Sequence, residues 1–97
     1  MADIEITRTH DYGLDDAKVR LEKLLGDYME HKPDMVNSVS WQDLTATATG
    51  RFFKGRFTVS ESDVQVELEL IGFAAKMAKG MVREQMGKQL ERGGFSA

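Results

Sequence analysis

An α+β fold, an antiparallel sheet with a long C-terminal helix packed across one face, is what this sequence predicts. Three observations carry that expectation. Apolar residues recur with a period of two over residues 3–9 and over most of 36–70, and with helical spacing over 14–31 and 72–92. The four period-two runs after residue 36 are separated by short polar turns, the signature of an antiparallel meander. The length, 97 residues with 41% hydrophobic and 30% charged side chains, suits one domain spanning 1–97 that folds without disulfide staples. The order reads β-α-β-β-β-β-α, two helices on a single sheet.

The first strand alternates over Asp3–Thr9, with Ile4 and Ile6 on one side. His10-Asp11-Tyr12-Gly13 breaks the pattern. A helix is expected from about Asp16 to His31, capped by Asp15, whose carboxylate would accept from the free amides of the first turn. Leu14 and Val19 have the spacing of a hydrophobic staple across that cap. Leu14, Ala17, Leu21, Leu24, Leu25 and Tyr28 form its apolar face, and Pro33 its stop. Val39 and Trp41 then alternate with Ser38 and Ser40. Leu44, Ala46 and Ala48 alternate with threonines, and Phe53, Gly55, Phe57 and Val59 make a further set. Val64, Val66, Leu68 and Leu70 give the clearest strand, with Gln65, Glu67 and Glu69 opposite. The final helix is expected over about Gly72–Arg92, with Ala74, Met77, Ala78 and Met81 facing Leu68, Leu70 and Phe57. Gly80 and Gly87 would admit close approach of the sheet or of a second copy, so a homodimer is open. Gly93-Gly94 ends the helix, and Phe95-Ser96-Ala97 reads as a frayed tail.

One hairpin register is specified twice over. Pairing Val59 with Val64 keeps both apolar sets on one face, and a slip of one residue would send one set to water. The same pairing sets Arg56 against Glu67, Lys54 against Glu69 and Gly55 against Leu68. Arg51, Lys54 and Arg56, interleaved with Phe52 and Phe53, have the composition of a nucleic-acid patch. Cross-strand pairing would neutralise most of it and leave only Arg51 without a partner.

Composition excludes several chemistries. The absence of cysteine removes disulfides, thiolate metal sites and cysteine nucleophiles. His10 and His31 sit at opposite ends of the first helix, about 24 Å apart, too far to share a metal, so no metal site is expected. No phosphate-binding or dinucleotide-binding glycine loop and no Gly-x-Ser-x-Gly elbow is present, so neither a cofactor nor a catalytic residue is assigned. A net charge of −3 disfavours a general nucleic-acid binder. Charge is uneven: residues 1–50 hold 5 basic and 10 acidic side chains, residues 51–97 hold 8 and 6. No run approaches the roughly 20 apolar residues of a membrane span, and Met1–Glu5 does not read as a secretory signal. A cytoplasmic location is therefore the expectation.

Two sets of residues are candidates for function. His10 and Asp11 lie where the first strand hands over to the first helix, a common place for a site. A turn histidine bonded to backbone, a general acid–base group and a partner contact all remain open there. Trp41, Phe57, Met77 and Met81 are the candidate ligand or partner face, because flexible methionines suit irregular apolar surfaces. Core packing is the alternative reading of the methionines.

The pattern Ile4-x-Ile6-x-Arg8-x-His10-x-x-Gly13-Leu14-x-x-Ala17 resembles the start of the polyhydroxyalkanoate (polyhydroxyalkanoic acid) system proteins. Trp41, Leu44, Gly55-x-Phe57-x-Val59, Asp63-x-x-Val66 and Leu70-x-Gly72 continue the likeness over nearly the whole chain. The resemblance implies a bacterial cytoplasmic protein associated with polyhydroxyalkanoate granule formation or its regulation, acting by binding and not as an enzyme. Its partners would be the granule surface, granule proteins or an apolar small molecule. The element order also resembles a reduced helix-grip fold, which implies an alternative: a small apolar or acyl ligand held between helix and sheet. A third resemblance, to ribosome-hibernation factors and hence a ribosome-associated stress role, conflicts with charge: those proteins are basic and this chain is acidic.

Overall fold

The computed structural model describes residues 2–32 and 36–95. The expected stop at Pro33 and the last two residues of the tail lie outside them. Strands β1 (Ile4–Thr9), β2 (Ser38–Gln42), β3 (Thr45–Thr49), β4 (Phe53–Val59) and β5 (Asp63–Leu70) form one sheet in the order β1-β5-β4-β3-β2, antiparallel throughout. Helix α1 (Leu14–His31) joins β1 to β2, and α2 (Phe73–Met77) and α3 (Lys79–Arg92) follow β5. This is the expected α+β order, with the last helix in two pieces. The first strand closes the sheet beside β5, pairing Ile6 with Val66 and Arg8 with Val64.

The β4–β5 register is the expected one: Val59 opposes Val64, Arg56 opposes Glu67 and Lys54 opposes Glu69. The Arg56 guanidinium reaches the Glu67 carboxylate at 3.4 Å. Arg51, without a cross-strand partner, lies over the Phe52 ring at 5.7 Å. Gly55 opposes Leu68, and a β-carbon there would sit 2.8 Å from Leu68 Cδ2 and 3.1 Å from the Phe57 ring. The missing side chain makes room for two core residues. Alternation places Phe53, Phe57, Val59, Val64, Val66, Leu68, Leu70, Ile4, Ile6, Ala46 and Ala48 in one buried core. On that face α1 lies over β2 and β4, and α3 over β1. Threonines, Lys54, Arg56, Glu67 and Glu69 occupy the other face of the strands, which no helix covers.

Three local expectations are corrected. Helix α1 begins at Leu14, not Asp16, and Gly13, at φ +77°, takes the N-cap position with no side-chain cap. The Ala17 amide already donates to the Gly13 carbonyl at 3.1 Å, so Asp15 lies inside the first turn, where its charge still suits the helix dipole. The staple is absent too: Val19 is exposed. Second, the last helix breaks at Ala78 (φ −92°, ψ 18°), and the residues it buries are Ala75, Met86, Gly87 and Leu90. Ala74, Met77 and Met81 do not face the sheet: Ala74 is exposed, and the two methionines are 73% and 66% exposed. Two apolar stripes run along this segment at helical spacing. The one that continues to Leu90 takes the core. Gly87 is where α3 approaches β1 closely, since a β-carbon there would lie 2.9 Å from Arg8 Nη2; Gly80 faces open space. Third, Phe95 is not frayed. It is fully buried, and its amide donates to the Leu90 carbonyl at 2.8 Å.

Candidate functional site

The His10 junction is built from the ends of three elements. His10 follows β1 and is 8% exposed. Its amide donates to the Ser62 carbonyl at 3.0 Å, and its Nε2 meets the Ser60 carbonyl at 2.9 Å. The Tyr12 amide donates to Nδ1 at 3.2 Å. A carbonyl can only accept, so these partners specify the tautomer with its proton on Nε2. His10 thus ties the end of β1 to the β4–β5 turn. That turn is itself closed by Ser60 Oγ, which donates to Asp63 Oδ1 at 2.6 Å and accepts from the Asp63 amide at 3.1 Å. The His10 ring stacks on Tyr12 and meets Phe95 edge-on, each at 5.8 Å between centroids. The Tyr12 hydroxyl donates to the Gly94 carbonyl at 2.9 Å. Gly94, at φ +95°, makes the turn that brings Phe95 back, and a side chain on it would collide with the Tyr12 hydroxyl. Asp11 is exposed beside this cluster. Both nitrogens of His10 are engaged within the fold.

The Trp41, Phe57, Met77 and Met81 set is not brought together as one lining. Phe57 is fully buried in the sheet. Trp41 is half-buried over the inner side of β2, with the Lys18 ammonium 5.3 Å from its ring. Met77 and Met81 project to the outside on α2 and α3. None of the four lines either of two surface depressions, one between α1 and α3 and one on the uncovered sheet face.

The exposed methionines belong instead to a different surface, which sequence reasoning grouped only in part. Ile71, Phe73, Met77 and Met81 are 49%, 80%, 73% and 66% exposed within eleven residues. Phe52, 41% exposed, is tied beside them, because the Ile71 amide donates to its carbonyl at 2.7 Å. Phe73, Met77 and Met81 fall four residues apart, and buried Ala75 anchors α2 from its other side. Gly72, at φ +91°, turns the chain out of β5 into this segment. Between Ile71 and Arg83 there are three cations, Lys76, Lys79 and Arg83, and no carboxylate. That local lack of acid, in a chain of net charge −3, is the signal in the sequence that could have marked the strip.

A protein-family model described as putative polyhydroxyalkanoic acid system protein matches residues 4–92. The chain belongs to this family. The match takes in β1 through α3, so His10, Tyr12 and the strip lie within it, while Gly94 and Phe95 fall just beyond its end. The family description names no enzyme activity. Searches of the curated proteins and of the solved structures found no match. No helix among the described residues is long and apolar enough to cross a membrane, and no group of three or more potential metal-ligating side chains occurs among them.

Proposed function

We propose that this protein acts at polyhydroxyalkanoate granules in the cytoplasm by adsorbing to the granule surface, without catalysing a reaction. Membership of the polyhydroxyalkanoic acid system family supports the association. The observation that carries the binding mode is the exposed strip Ile71, Phe73, Met77 and Met81. Full burial of one such side chain contributes about 1.5–3 kcal/mol. Several together supply enough for reversible adsorption to an aliphatic polyester after ordering costs. Lys76, Lys79 and Arg83 would rim the contact and favour a surface that carries negative charge. Buried Phe57 and exposed Met77 and Met81 support an open surface over an internal ligand pocket.

The test is co-sedimentation with polyhydroxybutyrate particles, paired with imaging of the tagged protein in cells with and without granules. The protein should follow the particles and the granules. A Phe73→Ser/Met77→Ser/Met81→Ser variant should keep its fold and lose about tenfold or more of its particle binding. Equal sedimentation of variant and parent would remove the strip from the reading. A diffuse distribution in granule-containing cells would remove the granule.

A further inference from the structure

Helix α1 and the end of α3 enclose an open groove of about 400 Å³. Its lining includes Arg20, Lys23, Lys32 and Arg92, with Asp27 as the one carboxylate and Tyr28 and Leu24 toward its floor. We infer that this groove binds a small phosphate-bearing anion.

Four cations face one carboxylate here, in a chain whose net charge is −3. This is a local field of opposite sign to the whole molecule. Among the described residues, none of the four has a hydrogen-bond or ion-pair partner for its charged group. Arg20 is held in place by stacking on the Tyr12 ring, 3.8 Å from its centroid. The nearest structural explanation is that the cations offset the partial negative charge at helix C-termini. It accounts for Lys32, which follows α1, and for Arg92, in the last turn of α3. It does not account for Arg20 and Lys23, which lie in the second and third turns of α1, away from its C-terminus. The two helix ends together offset only about one unit of charge, so the groove keeps roughly two positive charges. A monocarboxylate would neutralise half of that. A phosphate monoester matches it and pyrophosphate exceeds it, and their several acceptor oxygens suit two guanidinium groups and two ammonium groups. Tyr28 adds a neutral donor: burial pushes its phenol up, and the Arg92 charge opposes this only in part.

This inference does not rest on granule binding. The experiment is an NMR titration of the full chain at low salt with pyrophosphate, inorganic phosphate and butyrate in separate arms. Saturable shifts confined to α1 and the end of α3 are expected, with pyrophosphate the tightest of the three and butyrate the weakest. Lys23→Gln and Arg92→Gln should each weaken pyrophosphate about tenfold, and Asp27→Asn should strengthen it several-fold. Lys54→Gln, on the uncovered face of the sheet, should leave it unchanged. These are exposed side chains, so the variants should fold, and their amide spectra will show it. Three results would overturn the assignment: no saturable shift, butyrate binding as tightly as pyrophosphate, or Lys54→Gln weakening the titration as much as Arg92→Gln.

Discussion

The His10 junction and the Ile71–Met81 strip use similar materials to opposite ends. Each contains an aromatic residue and a sharp glycine turn at positive φ, Gly94 in one and Gly72 in the other. At the junction the turn folds Phe95 inward until it is fully buried against His10 and Tyr12. At the strip the turn sends Phe73 outward, 80% exposed. The most distinctive sequence motif, His10-x-x-Gly13-Leu14, therefore lies where polar groups are satisfied inside the fold. The surface available to a partner lies where the sequence looked like ordinary helix. A residue's chemical reactivity is a poor guide to its availability; the number of partners it already has is a better one.

The sharpest way to break this contrast is to make one substitution on each side. Phe95→Ala should cost about 3–5 kcal/mol in urea unfolding, and Phe73→Ala no more than about 0.5 kcal/mol. Equal costs would mean that the strip is core or that the tail is free. The methionines sharpen the same point. Met86→Ala, at a buried site, should cost about 2–5 kcal/mol, whereas Met77→Ala should leave the melting temperature within a degree or two. His10→Ala removes a ring with two hydrogen bonds and two aromatic contacts, and a loss of about 1–3 kcal/mol is expected. If instead the variant keeps its stability but loses particle binding, the junction is a partner site. Gly55→Ala should cost a similar about 1–3 kcal/mol, from overpacking against Leu68. The smallest effect belongs to Arg56→Gln. Its exposed pair with Glu67 should contribute under about 1 kcal/mol, and less in high salt.

What could be read from the residues follows from how tightly each element constrains its own faces. In the β4–β5 hairpin, period two leaves two phases, and both charge and hydrophobicity select the same one, so the register was legible down to Arg56 opposite Glu67. In the final helical segment, Ala74-Met77-Ala78-Met81 and Ala75-Val82-Met86-Leu90 are both apolar stripes. Periodicity alone does not rank them. The break at Ala78 and the docking of Leu90 and Phe95 decide it, and both are tertiary. Phe95 was illegible for a related reason. A lone aromatic after Gly-Gly has no period at all, and only the distant His10 and Tyr12 give it a place. Asp15 looked like a cap because local propensity favours it, yet the half-buried Leu14 draws the helix start back to Gly13.

The clasp of Phe95 on His10 and Tyr12 bears on how the chain is made. β1 precedes the other elements in the chain and pairs with β5, and the His10 that follows it is covered by the side chain of Phe95, 85 positions later. A nascent chain that stops before Asp63 cannot pair β1, and one that stops before Phe95 cannot close over His10. The contacts of β1, with β5 and α3, are non-local, which slows folding and leaves an unpaired strand edge open in the interval. During synthesis, the apolar set of β1 would therefore stay uncovered until the late segments emerge, a period in which holding by a chaperone has the most to act on.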